Sequence, residues 1–451
     1  MTVGSPMKVI FRFFIPVMLG NLLQQLYNLV DAMIVGQSLG VTALAAVGAS
    51  TSVMFLILGF CNGCAGGFGI PVAQCFGAKD YSGLRRCVAN TFYLSGIIAV
   101  VFTTVTAIFC RDILEAMNTP ADVIDGAYDY LLITFLGIPF TFGYNVLASI
   151  IRSLGDSKTP FMYLMLAAVL NIILDVVFIL GLNLGTGGAA LATLVSQAIS
   201  AVLCLRHMYK RFPILKMSDE ERRFDMRYIR ILLNMGVPMG LQFSITAIGS
   251  IMLQSANNAL GTACVAAFTA ANRIKMFFIC PFEMLGVALA TYCGQNLGAA
   301  RMDRVQSGVK ASVKMMLMYA VFTCLVLNLF SRQFALLFVE PTEHDIINKT
   351  YQFLSTSGSL QVFLGVLCIF RYSIQGLGYS KMAIMSGVCE MITRVCLSLW
   401  VIPTVGFAAV CFGDPAAWLS GDLFLVPAYI WLFRHLSKKM EGRKFSITDN
   451  I

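Results

Sequence analysis

The amino-acid sequence predicts an all-α polytopic membrane protein, with twelve transmembrane helices in two pseudo-symmetric lobes of six. Hydrophobic residues make up 58% of the 451 positions and charged residues only 12%, whereas soluble domains carry about 25% charged residues. Apolar runs long enough to cross a hydrocarbon core of about 30 Å recur along the whole chain. The two halves of the sequence also repeat each other's motifs, so the same architecture is expected twice.

The apolar runs predict six spans in each half, because a membrane-crossing helix needs about 20 mostly apolar residues. The first six lie near 11–35, 43–70, 86–110, 127–150, 160–182 and 187–207, and the second six near 231–257, 265–292, 308–331, 348–375, 380–402 and 410–436. We therefore predict an N-terminal lobe over 1–207, a solvated cytoplasmic linker over 208–229, a C-terminal lobe over 230–436 and a cytoplasmic tail over 437–451.

The Lys and Arg residues predict the orientation of these spans. With the N-terminus inside, the cytoplasmic segments collect most of the 32 basic residues, including Lys8, Lys79, Arg85, Arg152, Lys158, Arg206, Lys210, Arg211, Lys216, Arg222, Arg301, Arg304, Arg371, Lys381, Arg434 and Lys438. Only Arg111, Arg332 and Lys349 fall outside. This is the asymmetry of the positive-inside rule. It predicts a multi-pass protein of the plasma (cytoplasmic or inner) membrane with both termini in the cytoplasm, and it explains the net charge of +9 without nucleic acid.

Several motifs recur in the same order in both halves. Pro16 is matched by Pro238, 222 residues later, and the segment 43–50 by 264–271. The loops that begin at Gln74 and Gln295 share the pattern Gln–x–x–Gly–Ala, and Gly155 has its counterpart in Gly378. Each repeat holds an even number of spans, so both insert with the same polarity and are related by an axis along the membrane normal. Transporters are commonly built in this way.

Polar residues within the first predicted span form one stripe. Gln24, Tyr27, Asn28 and Asp31 follow the helical spacing i, i+3, i+4 and i+7 on an otherwise apolar helix. Ionisable groups at membrane depth are costly and mark functional sites. The stripe is therefore expected to face a cavity or other polar groups rather than lipid.

The fifth predicted span carries a second polar pair, Asn171 and Asp175, at i and i+4. Together with Asp31 this pair supplies hard oxygen ligands, which suit Na⁺ or a shared proton. The competing interpretation is that each Asp is a buried group hydrogen-bonded for packing. We favour a cation or proton site made by the two carboxylates together.

Other charges within the predicted spans have a more structural interpretation. Glu390 and Arg394 are spaced i, i+4 in the eleventh span and are expected to form an ion pair. Arg273, Lys275 and Glu283 share the eighth span, where a structural role is favoured and a role in the cavity is the alternative, and Asp422 in the twelfth span has no assigned role. No catalytic elbow, phosphate loop or metalloprotease motif occurs, so no enzymatic activity and no cofactor is expected.

These features together resemble the multidrug and toxic compound extrusion (MATE) family, in its DinF-like prokaryotic branch. The resemblance covers nearly all of the chain. It rests on the twelve spans, on Pro16 with the polar stripe of the first span, on the segment 44–49, on the two Gln–x–x–Gly–Ala loops and on the loop 155–158.

The resemblance implies a cation site in the N-terminal lobe and names further residues for it. Asp31, Asn171 and Asp175 match the family's acidic and amide ligands, and Na⁺ is a candidate ion. Thr193 matches a hydroxyl ligand and Ala189 a position that offers its backbone carbonyl. Asn145 joins Gln24, Tyr27 and Asn28 in the surrounding polar network or substrate cavity, and Pro16 matches the residue at which the first helix can bend.

The resemblance also implies a function. We expect a monomeric secondary antiporter that exports an amphipathic or cationic small molecule in exchange for Na⁺ or H⁺ by alternating access. The alternative within the superfamily is a flippase for a lipid-linked precursor. One branch of the family uses acids on the seventh and tenth spans, but the seventh span of this chain offers amides such as Gln242 and Asn257, and neither span has an acid. A separate cation site in the C-terminal lobe is therefore not expected.

Overall fold

The structure is a computed structural model that describes residues 1–117, 119–120 and 123–440. Within those residues the regular elements are helices. The first half contains α1 Pro6–Leu39, α2 Val41–Ala78, α3 Tyr81–Ile108, α4 Cys110–Ala116, α5 Ile124–Leu136, α6 Ile138–Ser153, α7 Lys158–Asp175 and α8 Gly185–Arg211. The second half contains α9 Met226–Asn258, α10 Thr262–Gly298, α11 Met302–Ala335, α12 His344–Ser359, α13 Gln361–Gly376, α14 Ser380–Cys396, α15 Ile402–Val405, α16 Phe407–Cys411 and α17 Gly413–Met440.

The predicted fold class is confirmed, and the twelve predicted spans coincide with these helices. Ten helices in the described part of the chain are long and apolar enough to cross a membrane. Two further spans are bent pairs: α5 and α6 meet at 45°, and α12 and α13 meet at 46°. The hydropathy pattern predicts one span over each pair, near 127–150 and 348–375, and the bends within them are a finding of the structure.

The internal repeat is visible in the backbone. Left-handed φ angles recur at equivalent points, at Gly155 and Gly378 (both +95°) and at Lys79 (+58°) and Ala300 (+56°). A π-helical segment follows α7 over Val176–Gly181, and another follows α14 over Leu397–Val401. π-Helical turns are rare and often occur at functional sites. Because these irregular features sit about 222 residues apart, the two halves share details of backbone geometry as well as helix number.

The chain divides into two compact units. Within the described residues, one comprises 15–240, and the other comprises 1–14 together with 241–440. The first residues of α1 belong to the second unit, where Arg304 Nη2 donates a hydrogen bond to the carbonyl of Gly4 at 3.0 Å. The unit boundaries thus fall beside Pro16 in α1 and Pro238 in α9, inside helices rather than in the linker.

The segment predicted as a solvated linker packs partly on α3. Arg85 of α3 donates two hydrogen bonds of 2.7 Å to the carboxylate of Glu221, a side chain that is buried. Asn90, also on α3, accepts a hydrogen bond from the backbone N–H of Asp225 at 2.9 Å. This stretch of the linker is therefore held against the N-terminal half. The predicted tail over 437–451 begins within α17, and its residues from 441 lie outside the described part.

One charge was placed wrongly by the sequence analysis. Arg371 was counted with the cytoplasmic residues, but it lies inside α13 and its side chain is buried. The end of an apolar run is ambiguous in the sequence, and a basic residue there resembles a loop residue until its partner is known. That partner is Glu390 of α14.

Candidate functional site

The polar stripe of α1 lines a cavity in the unit 15–240. The cavity has a volume of about 150 Å³, and Gln24, Tyr27, Asn28 and Asp31 all contribute to its wall. Asn145 of α6 and Thr193 of α8 line the same cavity. The structure therefore brings six of the predicted residues from three helices around one space, as the spacing on α1 requires.

Asp31 lines this cavity, and Asp175 lies next to Asp31 but, like Asn171, is not among the residues that line the cavity. The side chains of the two acids are within hydrogen-bonding reach of one another if one carboxyl group holds a proton. Asp175 is fully buried and Asp31 is 9% exposed. Asp31 Oδ1 and both oxygens of Asp175 are buried without a hydrogen-bond donor. No Lys or Arg of the described chain lies within ion-pair distance of either acid. Two neighbouring carboxylates repel each other, so this arrangement favours a bound cation or a shared proton.

Asn171 extends the acid pair towards α8. Its Nδ2 donates a hydrogen bond to Thr193 Oγ1 at 3.1 Å, and its Oδ1 is buried without a partner. Because this hydrogen bond orients the amide group, Asn171 Oδ1 can accept a hydrogen bond from another donor or bind a cation. With the carboxylate oxygens and the threonine hydroxyl, the donor set consists entirely of hard oxygen ligands, the type that alkali cations prefer over nitrogen or sulfur.

The remaining predicted residues have different surroundings. Ala189, whose backbone carbonyl was the predicted ligand, is fully buried in an apolar cluster with Val35 and Tyr130. It lies on the same helix as Thr193 but is not among the residues that line the cavity. Asn145 Nδ2 donates to the Thr141 carbonyl at 2.9 Å. Pro16 lies inside α1, which continues through it from Pro6 to Leu39.

Several cavity residues were missed by the sequence analysis. Tyr130, Thr134, Thr141 and Gln197 line the cavity together with the predicted residues. The Tyr27 hydroxyl lies within hydrogen-bonding reach of Gln197 as well as Gln24. A signal existed for Gln197, because it follows Thr193 at i+4 and thus shares its helix face.

A second buried set of charges lies in the C-terminal half. Glu390 pairs with Arg371 and lies 3.6 Å from Arg394 Nη1. Arg394 Nε also donates to Asp414 Oδ1 at 3.0 Å, and Lys275 Nζ donates to Asp414 Oδ2 at 2.5 Å. We call these five residues the C-terminal ion network. The expected proximity of Glu390 and Arg394 is present, as one contact in a larger arrangement.

The remaining charges within the predicted spans differ from this network. Asp422 of α17 is buried, and neither of its oxygens has a hydrogen-bond donor. Glu283 is half-buried on α10 and Arg273 is exposed on the same helix. Only Asp422 therefore repeats the feature seen at Asp31 and Asp175, a buried carboxyl group without a donor.

Comparisons with known proteins agree with this architecture. The MatE family model matches twice, over residues 16–177 and 238–400, and so marks the same internal repeat. The chain is 32% identical over 338 residues to the probable multidrug resistance protein YoeA of Bacillus subtilis, a match that covers 73% of each chain. It is 29% identical to the probable multidrug resistance protein YpnP of the same organism, covering 89% of this chain and 87% of that one.

Solved structures show the same fold. A crystal structure of a MATE protein in complex with MaL6 superimposes with a TM-score of 0.89 at 25% identity, covering 96% of this chain and 98% of the other. The family model covers well over half of the chain, in two copies that begin at Pro16 and Pro238. The chain is therefore a member of the MatE family of multi-pass membrane transporters.

Proposed function

We propose that this protein is a secondary active antiporter that exports amphipathic or cationic small molecules in exchange for Na⁺ or H⁺, by alternating access. The observation that carries the proposal is the pair of Asp31 and Asp175. Three of their four carboxyl oxygens are buried without a donor, and no basic side chain of the described chain neutralises them. Such a pair is costly in hydrocarbon unless it handles a charge that enters and leaves.

The coupling follows from electrostatics. With both carboxyl groups ionised, the repulsion between close charges in a poorly hydrated site is large. A proton shared between them, or a Na⁺ that also binds the Asn171 oxygen and the Thr193 hydroxyl, removes it. An ion that binds one conformation of the transporter more tightly than the other shifts their equilibrium by that difference in affinity. Asp31 and Asp175 would thus link ion entry to the export step.

The cargo is proposed from the relatives and from the cavity. YoeA and YpnP are both named probable multidrug resistance proteins, and we extend export of that kind to this chain. The cavity beside Asp31 is lined by amides, hydroxyls and aromatic groups, and no Lys or Arg is among its lining residues. A flippase for lipid-linked phosphates, the alternative, needs a strongly cationic cavity. The lining therefore favours a cationic or neutral amphipathic cargo.

The basic residues support a topology. The ends of α8 and α17 carry Lys210 with Arg211 and Lys438 with Lys439 in their last turns. We propose that these ends face the cytoplasm, that both termini lie there, and that the protein works as a monomer in the cytoplasmic membrane. The coupling ion is a transported substrate, and no cofactor is needed.

Vesicle transport tests the proposal. In inside-out membrane vesicles that contain the full chain, uptake of a cationic dye is driven by a Na⁺ gradient at equal pH or by a pH gradient without Na⁺. Asp31→Asn and Asp175→Asn should each abolish uptake under the gradient that drives the wild type, because the amide neither releases a proton nor brings a charge for Na⁺.

The control is Asp129→Asn, which removes an exposed carboxyl group on α5 of the same unit. It should transport as the wild type does. The two gradients, applied separately, identify the ion. Wild-type rates of gradient-driven uptake in both Asp31→Asn and Asp175→Asn would refute the antiport assignment.

A further inference from the structure

A second cavity lies at the far end of the N-terminal half, where α8 ends. It measures about 320 Å³ and is lined by Tyr163 of α7 and by Leu203, Arg206, His207, Lys210 and Arg211 of α8. None of these residues takes part in the proposed cation site. The volume lies within the range of small-ligand sites, about 300–1,000 Å³.

The charge of this cavity is unbalanced. Arg206, Lys210 and Arg211 are exposed, and no carboxylate in the described part of the chain lies within ion-pair distance of them. Arg206 and Lys210 are spaced i, i+4 on one helix face, where like charges destabilise a helix. The dipole at the end of α8 favours basic residues in its last turn, but it does not account for three of them around one concave space.

Asp156, an acid just before α7, is engaged by the first turn of that helix. Asp156 accepts hydrogen bonds from the backbone N–H groups of Lys158 and Thr159 and from the Thr159 hydroxyl, at 2.6 to 3.1 Å, and so caps α7. The His207 ring contacts Thr159 Oγ1 at 3.4 Å and the Tyr163 hydroxyl at 3.3 Å. These contacts place His207 and Tyr163 together and leave the three cations without an internal counter-ion.

The surface beside the cavity is apolar. Met162 on α7 is 60% exposed and Val202 on α8 is 62% exposed, and each adjoins a cavity residue in sequence. Deeper in the membrane the same two helices expose Val169 and Ile199. A ligand with a phosphate group and an apolar tail matches both parts, because the cations bind the phosphate and the exposed side chains contact the tail.

We propose that this cavity is a binding site for the headgroup of an anionic phospholipid such as phosphatidylglycerol. Arg206, Lys210 and Arg211 bind the phosphate, and the Tyr163 hydroxyl lies among the lining groups that face the headgroup. Basic pockets between transmembrane helices at the cytoplasmic surface are suited to such headgroups. The binding site and the antiport proposal share no residue, so each stands or fails separately.

Lipid titration of the purified full chain in neutral detergent tests the site, with bound lipid counted by native mass spectrometry. Phosphatidylglycerol is the probe and phosphatidylcholine the uncharged reference. The triple variant Arg206→Gln/Lys210→Gln/Arg211→Gln should weaken phosphatidylglycerol binding at least about tenfold and leave phosphatidylcholine binding unchanged. The single variant Lys210→Glu should weaken it in the same direction and keeps the test usable if the triple variant does not fold.

The matched control is Arg230→Gln/Lys310→Gln/Lys314→Gln, which removes three exposed charges that line no part of the cavity. Its phosphatidylglycerol affinity should stay within about twofold of the wild type. Equal losses in the triple and control variants would show general charge attraction and overturn the proposal. Displacement of the lipid by millimolar glycerol 3-phosphate or inorganic phosphate would also overturn it, since the site would then take a soluble phosphate compound.

Discussion

The two halves of this transporter share a fold and differ in how they hold buried carboxylates. In the N-terminal half, Asp31 and Asp175 adjoin each other and no basic side chain of the described chain pairs with them. In the C-terminal half, Glu390 and Asp414 are held by Arg371, Arg394 and Lys275. One duplicated scaffold therefore carries two adjoining acids without a basic partner in the described chain, and two acids that are each paired with basic residues of the chain.

This difference separates a binding role from a structural role. A carboxylate that is already paired with Arg or Lys gains little from Na⁺ or a proton, because its counter-charge is in place. A buried carboxylate without such a partner is stabilised when it binds a cation or a proton. The contrast explains why we propose that ion exchange belongs to the N-terminal half, although both halves bury acids.

The largest expected effect follows from opening the C-terminal ion network. Glu390→Gln removes the ion-pair partner of the buried Arg371, and breaking a buried ion pair costs about 3–5 kcal/mol. We expect a clear loss of thermal stability in detergent, whereas Asp31→Asn should leave stability equal or higher because it removes a repelling charge. The double variant Arg371→Gln/Glu390→Gln should recover most of the loss. An equal loss of stability in Glu390→Gln and Asp31→Asn would erase the distinction between the halves.

The next test introduces a basic side chain beside the acids of the N-terminal half, as the C-terminal half already has. Thr193→Lys places an ammonium group at the cavity beside Asp31, where it can act as a built-in counter-ion. Gradient-driven export should fall by about 100-fold, near the upper end of usual coupling free energies of about 1–3 kcal/mol, while the protein stays folded. Thr193→Met has similar length without charge and should keep part of the Na⁺- or pH-dependence of the melting temperature. Coupled export by Thr193→Lys at the wild-type rate would mean that the acids do not carry the ion.

The sequence predicts the helices and several buried acids of both halves, but it misses most of the basic residues that pair with the C-terminal acids. Hydropathy locates all twelve spans because the side chains of a membrane-crossing helix must be apolar where they contact lipid. Asp31 and Asp175 stand out as candidate site residues because a charged side chain inside such a span is costly. The pairing of Lys275 with Asp414, however, joins residues 139 positions apart, and no helical spacing reports such a contact. Arg371 was misplaced because its partner Glu390 lies on another helix.

The bends and the missed cavity residues have a common cause. Between α5 and α6 the direction changes at Gly137, and between α12 and α13 at Leu360. Both positions carry local signals of a break, Gly137 two residues before Pro139 and Leu360 directly after Gly358 and Ser359. Membrane-spanning helices tolerate such residues without ending, so these signals do not by themselves predict the angle of a bend. Thr134 and Thr141 lie on either side of the first bend, so their joint approach to the cavity depends on the angle of that bend, which helix packing sets.

Asp422 gives a test with a smaller expected effect. It is the buried C-terminal acid whose oxygens lack a donor, and the nearest charged groups around it are Arg371 of α13 and Glu390 of α14, which already pair with each other. If coupling belongs to the N-terminal half, Asp422→Asn should change stability by no more than about 1 kcal/mol and leave the ion dependence of transport unchanged. A changed ion stoichiometry, read from the reversal potential of dye uptake, would show that the C-terminal half also exchanges an ion.

The smallest expected effect comes from an ion pair outside the membrane. Arg85 holds the pKa of Glu221 at about 2, below its ordinary value of 4.5, chiefly through their side-chain hydrogen bonds. Because the pKa is lowered in the folded state, the pair stabilises the docked linker fully above pH 4.5, and this stability is lost as pH falls towards 2. The Arg85 side chain is partly exposed, so water and salt screen the pair and its contribution is below about 1 kcal/mol.

Hydrogen exchange of residues 213–225 measures that contribution. At pH 7, Glu221→Gln should raise exchange of the linker severalfold and leave the buried helices unaffected. The difference from the wild type should shrink as pH falls from 4.5 towards 2, since the carboxyl group of the undocked wild-type linker gains its proton near pH 4.5 and that of the docked linker only near pH 2. The control Asp219→Asn changes an exposed acid of the same segment and should have little effect. A difference that does not change with pH would show that the ionised Glu221 carboxylate is not what holds the linker against α3.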